Sequence, residues 1–161
     1  MDMIAFNNDI LHKVALVNRV FEKLKLSRLF ENKDFQIDEM SSEFYLKLNF
    51  VKADYFRIEF IISSYDIQIN VDRINEAFVW SNKQIETSQE EIVNLIEMIL
   101  TKTIKFEYCG SNFTKLYIIN DNGECLKTLK NVRGLYFKTK CQIKEYKPIY
   151  NWRQKRGQAT F

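Results

Sequence analysis

The sequence predicts an α+β fold in which an antiparallel meander packs against an N-terminal and a central amphipathic helix. Three observations carry that reading. Apolar residues recur at steps of three and four in two segments, and they alternate at period two in most of the others. The chain also holds 13 Phe and 8 Tyr within a 46% hydrophobic composition, against 4 Gly and 1 Pro, which argues for order nearly throughout. At 161 residues one domain is expected, burying roughly two-thirds of the unfolded surface. Its boundaries are placed at residues 1–148, followed by a basic C-terminal tail over residues 149–161.

The first helix is expected from Asn8 to about Lys25, because Ile10, Val14, Val17, Phe21 and Leu24 fall on one helical face. Asn8 or Asp9 is suited to cap it, and Leu26, Leu29 and Phe30 continue it or anchor its exit. Core packing on the sheet explains the stripe, although a partner-binding helix has the same pattern. From Phe35 to Val71 the period changes to two. Phe44, Leu46, Leu48 and Phe50 form one face of a strand, and Phe56, Ile58, Phe60 and Ile62 a second. After the break Ser63-Ser64-Tyr65-Asp66, Ile67, Ile69 and Val71 form a third, so consecutive hairpins are expected. Ile74 to Gln84 has no decisive period. Ser88 with Glu91 then reads as a capping box before the stripe Ile92, Leu95, Ile96, Ile99, Leu100. Beyond it, Ile104–Tyr108, Phe113–Ile119, Cys125–Lys130, Gly134–Lys140 and Gln142–Tyr146 read as strands, with Asn120-Asp-Asn-Gly123 as a hairpin turn.

The net charge of +3 conceals an asymmetry. Residues 126–161 carry ten Lys or Arg against the single acid Glu145, a local charge of +9, so the rest sums to −6. The N-terminal residues contain no basic segment leading into an apolar run, and no stretch reaches the length of a spanning helix, so a cytoplasmic protein without membrane contact is expected.

Few residues point to catalysis. The only histidine, His12, sits in the first helix and reads as a solvated side chain, with no nucleophile assigned to it. The glycines at 110, 123, 134 and 157 spell no phosphate-binding loop. Glu90 and Glu91 are explained by a helix start, and Glu39 and Glu43 by a loop. Cys109, Cys125 and Cys141 are widely spaced and read as buried free thiols; without paired cysteines or histidines at short spacing, no metal and no cofactor are expected. The chain is therefore read as a binding protein and not as an enzyme.

Two surfaces compete for that role. Lys138, Lys140 and Lys144 alternate along the expected strands near Tyr146, Trp152 and Arg153, a basic and aromatic set that can grip nucleic acid or simply form a solvated edge. Acids at Asp54, Glu59, Asp66, Asp72, Glu76 and Glu86 can equally form ordinary surface charge or meet a basic protein.

The segment Tyr65–Gly123, with its strand, acidic-aromatic connection containing Glu76 and Trp80, helix, and Ile-Lys-Phe-Glu-Tyr-Cys-Gly-Ser-Asn before the Asn-Gly hairpin, resembles the immunity proteins of bacterial toxin systems, including contact-dependent growth inhibition. The resemblance implies neutralisation of a cognate protein toxin by occluding its active site or substrate surface. It makes Tyr65, Asp66, Asp72, Glu76 and Trp80 the candidate contacts, Trp80 serving equally well as core. The basic C-terminal end departs from the acidic character common among inhibitors of nuclease toxins. Nucleic-acid binding by the C-terminal strands and tail is the alternative.

Overall fold

The computed structural model describes residues 6–24, 35–37, 42–50, 55–134 and 140–148. Among them the fold is α+β with antiparallel sheets, as the periodicities predict. The strands divide between two sheets instead of forming one. Residues 1–94 and 95–161 are two compact units, and the boundary falls within a helix.

The first unit starts with α1 (Asn8–Lys23), whose buried face is Ile10, Val14, Val17, Val20 and Phe21. Its cap lies one residue before the expected ones: the Asn7 side-chain oxygen accepts from the Ile10 N–H at 3.0 Å. A five-stranded sheet follows in the order β1 (Phe35–Ile37), β2 (Tyr45–Phe50), β3 (Ile58–Ser63), β4 (Asp66–Val71), β5 (Ile74–Ser81). This is the expected meander. Leu46, Leu48, Ile58, Phe60, Ile62, Ile67 and Ile69 are buried, and Phe21 of α1 meets Phe60 edge to face with ring centroids 6.4 Å apart. Burying a large side chain of this kind contributes about 1.5–3 kcal/mol.

β5 was not evident from its period, and the backbone shows why. Asp72 and Glu76 adopt positive φ, 52° and 49°, and the β4–β5 register shifts between Ile69 and Val71. The turn and the irregularity break the alternation, so Phe78 and Trp80 face inward while Glu76, of the same parity, is exposed. Next comes α2 (Asn82–Thr87), where Gln84 Oε1 accepts from the N–H and the hydroxyl of Ser81, both at 3.0 Å. The capping interaction assigned from sequence to Ser88 and Glu91 thus occurs one short helix earlier. Ser88 ends α2, and its carbonyl accepts from the Ile92 N–H at 3.1 Å to open α3 (Gln89–Thr101). Arg19 of α1 pairs with Glu90 at 2.6 Å, which accounts for one of the two carboxylates at that helix start.

The second unit contains a four-stranded sheet of order β8-β7-β6-β9, built from β6 (Thr103–Cys109), β7 (Phe113–Ile119), β8 (Cys125–Val132) and β9 (Cys141–Tyr146). One face buries Ile104, Phe106, Tyr108, Leu116 and Ile118. The Asn120–Gly123 turn forms as expected. Gly123 takes φ 83°, and the Asn120 side chain accepts from the N–H groups of Asn122 and Glu124.

The three cysteines are not the buried free thiols that their spacing suggested. Cys109 stands opposite Cys141 in the β6–β9 register and the two form a disulfide, while Cys125 is free and exposed. Pairing two cysteines 32 residues apart needs a sheet neighbour that sequence spacing does not reveal. Leu26, Leu29, Phe30, Glu39, Asp54, residues 135–139 of the expected strand Gly134–Lys140 and the tail over residues 149–161 lie outside the described residues. Among the described residues no helix is long and apolar enough to cross a membrane.

Candidate functional site

Among the described residues, Tyr65 is the most exposed large hydrophobic side chain, and it sits on a hairpin that is heavily tied down. In the β3–β4 turn, Ser63 Oγ accepts from the N–H groups of Tyr65 at 3.1 Å and Asp66 at 3.2 Å, and donates to the Asp66 carboxylate at 2.5 Å. The Ser64 N–H donates to the Phe44 carbonyl at 3.1 Å, and the Asn82 N–H to the Tyr65 carbonyl at 3.0 Å. The Asn82 side chain adds a bond to the Ser64 carbonyl at 2.9 Å. From α1, the almost fully buried Lys13 places its ammonium on the Ser63 carbonyl at 2.5 Å. Burial holds the Lys13 pKa below its ordinary value, against the opposing pull of the Asp9 and Asp66 carboxylates.

On this fixed base, Tyr65 is 80% exposed and Phe44, at the start of β2, is 55% exposed. Leu11 is 47% exposed, one helical turn beyond the Asn7 N–H bond to the Glu43 carbonyl. Asp9 and Glu43 are exposed and Asp66 is half-buried. Phe44 corrects the sequence reading, which placed it with Leu46, Leu48 and Phe50 on the inward face. It lies in the turn before β2, where the alternation no longer binds it to the core.

The other proposed contacts lie elsewhere. Asp72 and Glu76 belong to the β4–β5 end, one strand length from Tyr65, or about 20 Å at the rise of a six-residue strand. The Asp72 N–H bonds the Arg57 carbonyl at 2.7 Å. Trp80 is 8% exposed, stands opposite Ile67 and stacks on Phe78 with centroids 6.0 Å apart, so it is core. The five residues thus separate into Tyr65 with Asp66, Asp72 with Glu76, and a buried Trp80.

A second polar constellation crosses the outer face of the meander and corrects the reading of Glu59 as surface charge. Glu59 is 4% exposed; its carboxylate accepts from Asn70 Nδ2 at 2.8 Å and pairs with Lys47 at 3.4 Å and Arg57 at 3.3 Å. Asn70 Oδ1 in turn accepts from Gln68 Nε2 and from the Glu76 N–H, both at 2.8 Å. Every member has a structural partner, and the network fixes the irregular start of β5.

In the second unit, Lys140 and Lys144 are exposed. Lys144 Nζ stands 5.9 Å from the Tyr108 ring centroid, and Tyr146 packs edge to face on Phe106 at 6.0 Å, both on the side of the sheet that carries Phe106. Lys138, Trp152 and Arg153 lie outside the described residues. The opposite face carries a different basic and aromatic group: Lys115 Nζ at 4.4 Å and Lys105 Nζ at 5.8 Å from the Tyr117 ring. The Tyr117 hydroxyl donates to Glu107 Oε2 at 2.7 Å, and a hydrogen bond with Tyr117 is the leading cause that holds the Lys115 pKa above its ordinary value.

Residues 26–48 match the family described as the NUC153 domain, a segment ending within β2 and too short to place the chain in that family. No curated protein and no solved structure matches the chain.

Proposed function

We propose that this chain acts by binding a protein partner, and that the partner is a bacterial toxin domain silenced by being covered. The observation that carries the binding reading is the pairing of exposure with rigidity at Tyr65. An 80% exposed aromatic on a hairpin pinned by α1, β2 and α2 loses little further freedom on docking. Phe44, whose carbonyl accepts from the Ser64 N–H, extends its apolar area, and the exposed Asp9 and Glu43 with half-buried Asp66 supply acidic charge suited to a basic partner surface. The toxin class rests on the sequence resemblance alone. Occlusion needs no cofactor and no chemical step.

The test is co-purification of the N-terminally tagged chain from its native cells, followed by growth protection when the captured protein is expressed. A stoichiometric toxin-like partner, with affinity falling by about 2 kcal/mol or more in Tyr65→Ala as for a binding hot spot, supports the reading. The Lys105–Tyr117–Lys115 group supports the second reading, nucleic-acid binding, while exposed Lys144 stands on the other face of the same sheet. Salt-sensitive nucleic acid with no protein partner would replace the first reading by the second.

A further inference from the structure

We propose that reduction of the Cys109–Cys141 bridge uncovers a binding site for a thiophilic divalent cation of the zinc type, with both thiolates and the Glu107 carboxylate as ligands. Topology brings the three donors together. Cys109 faces Cys141 across β6 and β9, Glu107 precedes Cys109 by two residues on the same side of β6, and the donor atoms lie within 4.8 Å of one another. Sulfur and carboxylate oxygen are both established zinc donors.

The geometry already approaches that of a metal centre. Glu107 Oε1 lies 3.9 Å from Cys109 Sγ, close to the roughly 3.5 Å that tetrahedral zinc imposes between a sulfur and an oxygen ligand. Two thiolates on the same ion stand about 3.8 Å apart. Directly opposed antiparallel residues have Cβ atoms about 4.5–5.5 Å apart, so side-chain rotation alone reaches that spacing once the sulfur–sulfur bond is gone.

The outer shell is also in place. The Tyr117 hydroxyl holds Glu107 Oε2 at 2.7 Å and leaves Oε1 toward the sulfurs, the arrangement by which second partners orient metal-binding carboxylates. Lys115 stands opposite Glu107 in the register, with its ammonium over the Tyr117 ring. Two thiolates and a carboxylate carry three negative charges; a divalent ion and the Lys115 ammonium balance them. Cys109 is buried, whereas Cys141 and Glu107 are half-buried, which leaves the fourth position for water.

The chemistry balances in two steps. A phosphine reductant and water convert the disulfide to two thiols, and the phosphine leaves as its oxide. The divalent cation then displaces one proton from each thiol as two metal–sulfur bonds form.

The experiment uses the full chain carrying Cys125→Ser, which removes the exposed third thiol. The reduced protein is titrated with cadmium while sulfur-to-cadmium charge-transfer absorption is recorded, and circular dichroism monitors the fold. The expected result is saturation at one cadmium per chain when reduced, and no such absorption when oxidised. Outer-shell partners typically change metal affinity by about 10–100-fold, so Tyr117→Phe should weaken binding by about tenfold and Glu107→Gln by at least that factor. A folded, reduced chain that shows no saturable charge-transfer absorption overturns the proposal. Undiminished affinity in folded Glu107→Gln overturns it too, because the ion would then be held by an ordinary dithiol.

Discussion

Asn70→Ala tests whether the buried network on the outer face of the meander determines how β5 begins. The side chain donates to Glu59 and accepts from Gln68 and from the Glu76 N–H, each at 2.8 Å. A hydrogen bond to a charged group is worth about 1.5–3 kcal/mol and a neutral one about 0.5–1.5 kcal/mol. Gln68 is half-buried and can turn to water, so its bond drops out of the loss. Glu59 keeps Lys47 and the largely exposed Arg57, which sets the charged bond near the lower end of its range. The Glu76 N–H, on a residue with φ 49°, is left without its acceptor. The expected loss is therefore about 3 kcal/mol, or a fall in melting temperature of about 6–12 °C for a chain of this size. Urea unfolding followed by far-ultraviolet circular dichroism measures the loss, and hydrogen exchange at the Glu76 N–H locates it. Asn70→Asp adds a sign. It puts a second carboxylate against Glu59, raises the folded-state pKa of the introduced group, and so costs more at neutral pH than under mildly acidic conditions. Stability within 0.5 kcal/mol of the parent in Asn70→Ala, or unchanged exchange at Glu76, refutes the argument.

Three further outcomes are expected. Because burial holds the Lys13 pKa below 10.5, the unfolded chain carries more protons between the depressed value and 10.5, and stability should rise with pH across that window; Lys13→Met should flatten the rise in urea unfolding measured over a pH series. Trp80→Ala should cost about 3–5 kcal/mol in the same assay, as a buried aromatic does. Tyr65→Ala should leave stability within about 0.5 kcal/mol while weakening the partner complex in calorimetry, which separates an exposed anchor from a core residue.

Much of the fold was legible where a period ran long enough to exceed local exceptions. The stripes of α1 and α3 and the alternations of β2, β3, β4 and β6 placed their inward residues correctly, with Phe44 as the exception just outside its strand. β5 escaped because two positive-φ residues and a register shift interrupt its alternation. The pairing of β9 with β6 was illegible because hairpin signals report neighbours in sequence, and these two strands are not neighbours. The Glu59–Asn70 pair and the Cys109–Cys141 bridge depend on the same cross-strand registers. Of the proposed partner contacts, Tyr65 and Asp66 could be read from the polar break between two alternating runs. Phe44 could not, since it fits a pattern that usually indicates core.

The order β8-β7-β6-β9 also sets a sequence of events in folding. Every pairing in the meander closes a short local loop, whereas β9 must return to β6 across a separation of about 32 residues. Relative to a four-residue hairpin, that closure costs about 1.8 kcal/mol more chain entropy. Nonlocal pairings of this kind form late. Until β9 arrives, β6 presents an unpaired backbone edge along Ile104-Lys-Phe-Glu-Tyr108, a run rich in strand-forming residues. A nascent or truncated chain ending before Lys140 therefore exposes that edge, and β9 acts in the finished protein as the strand that covers it.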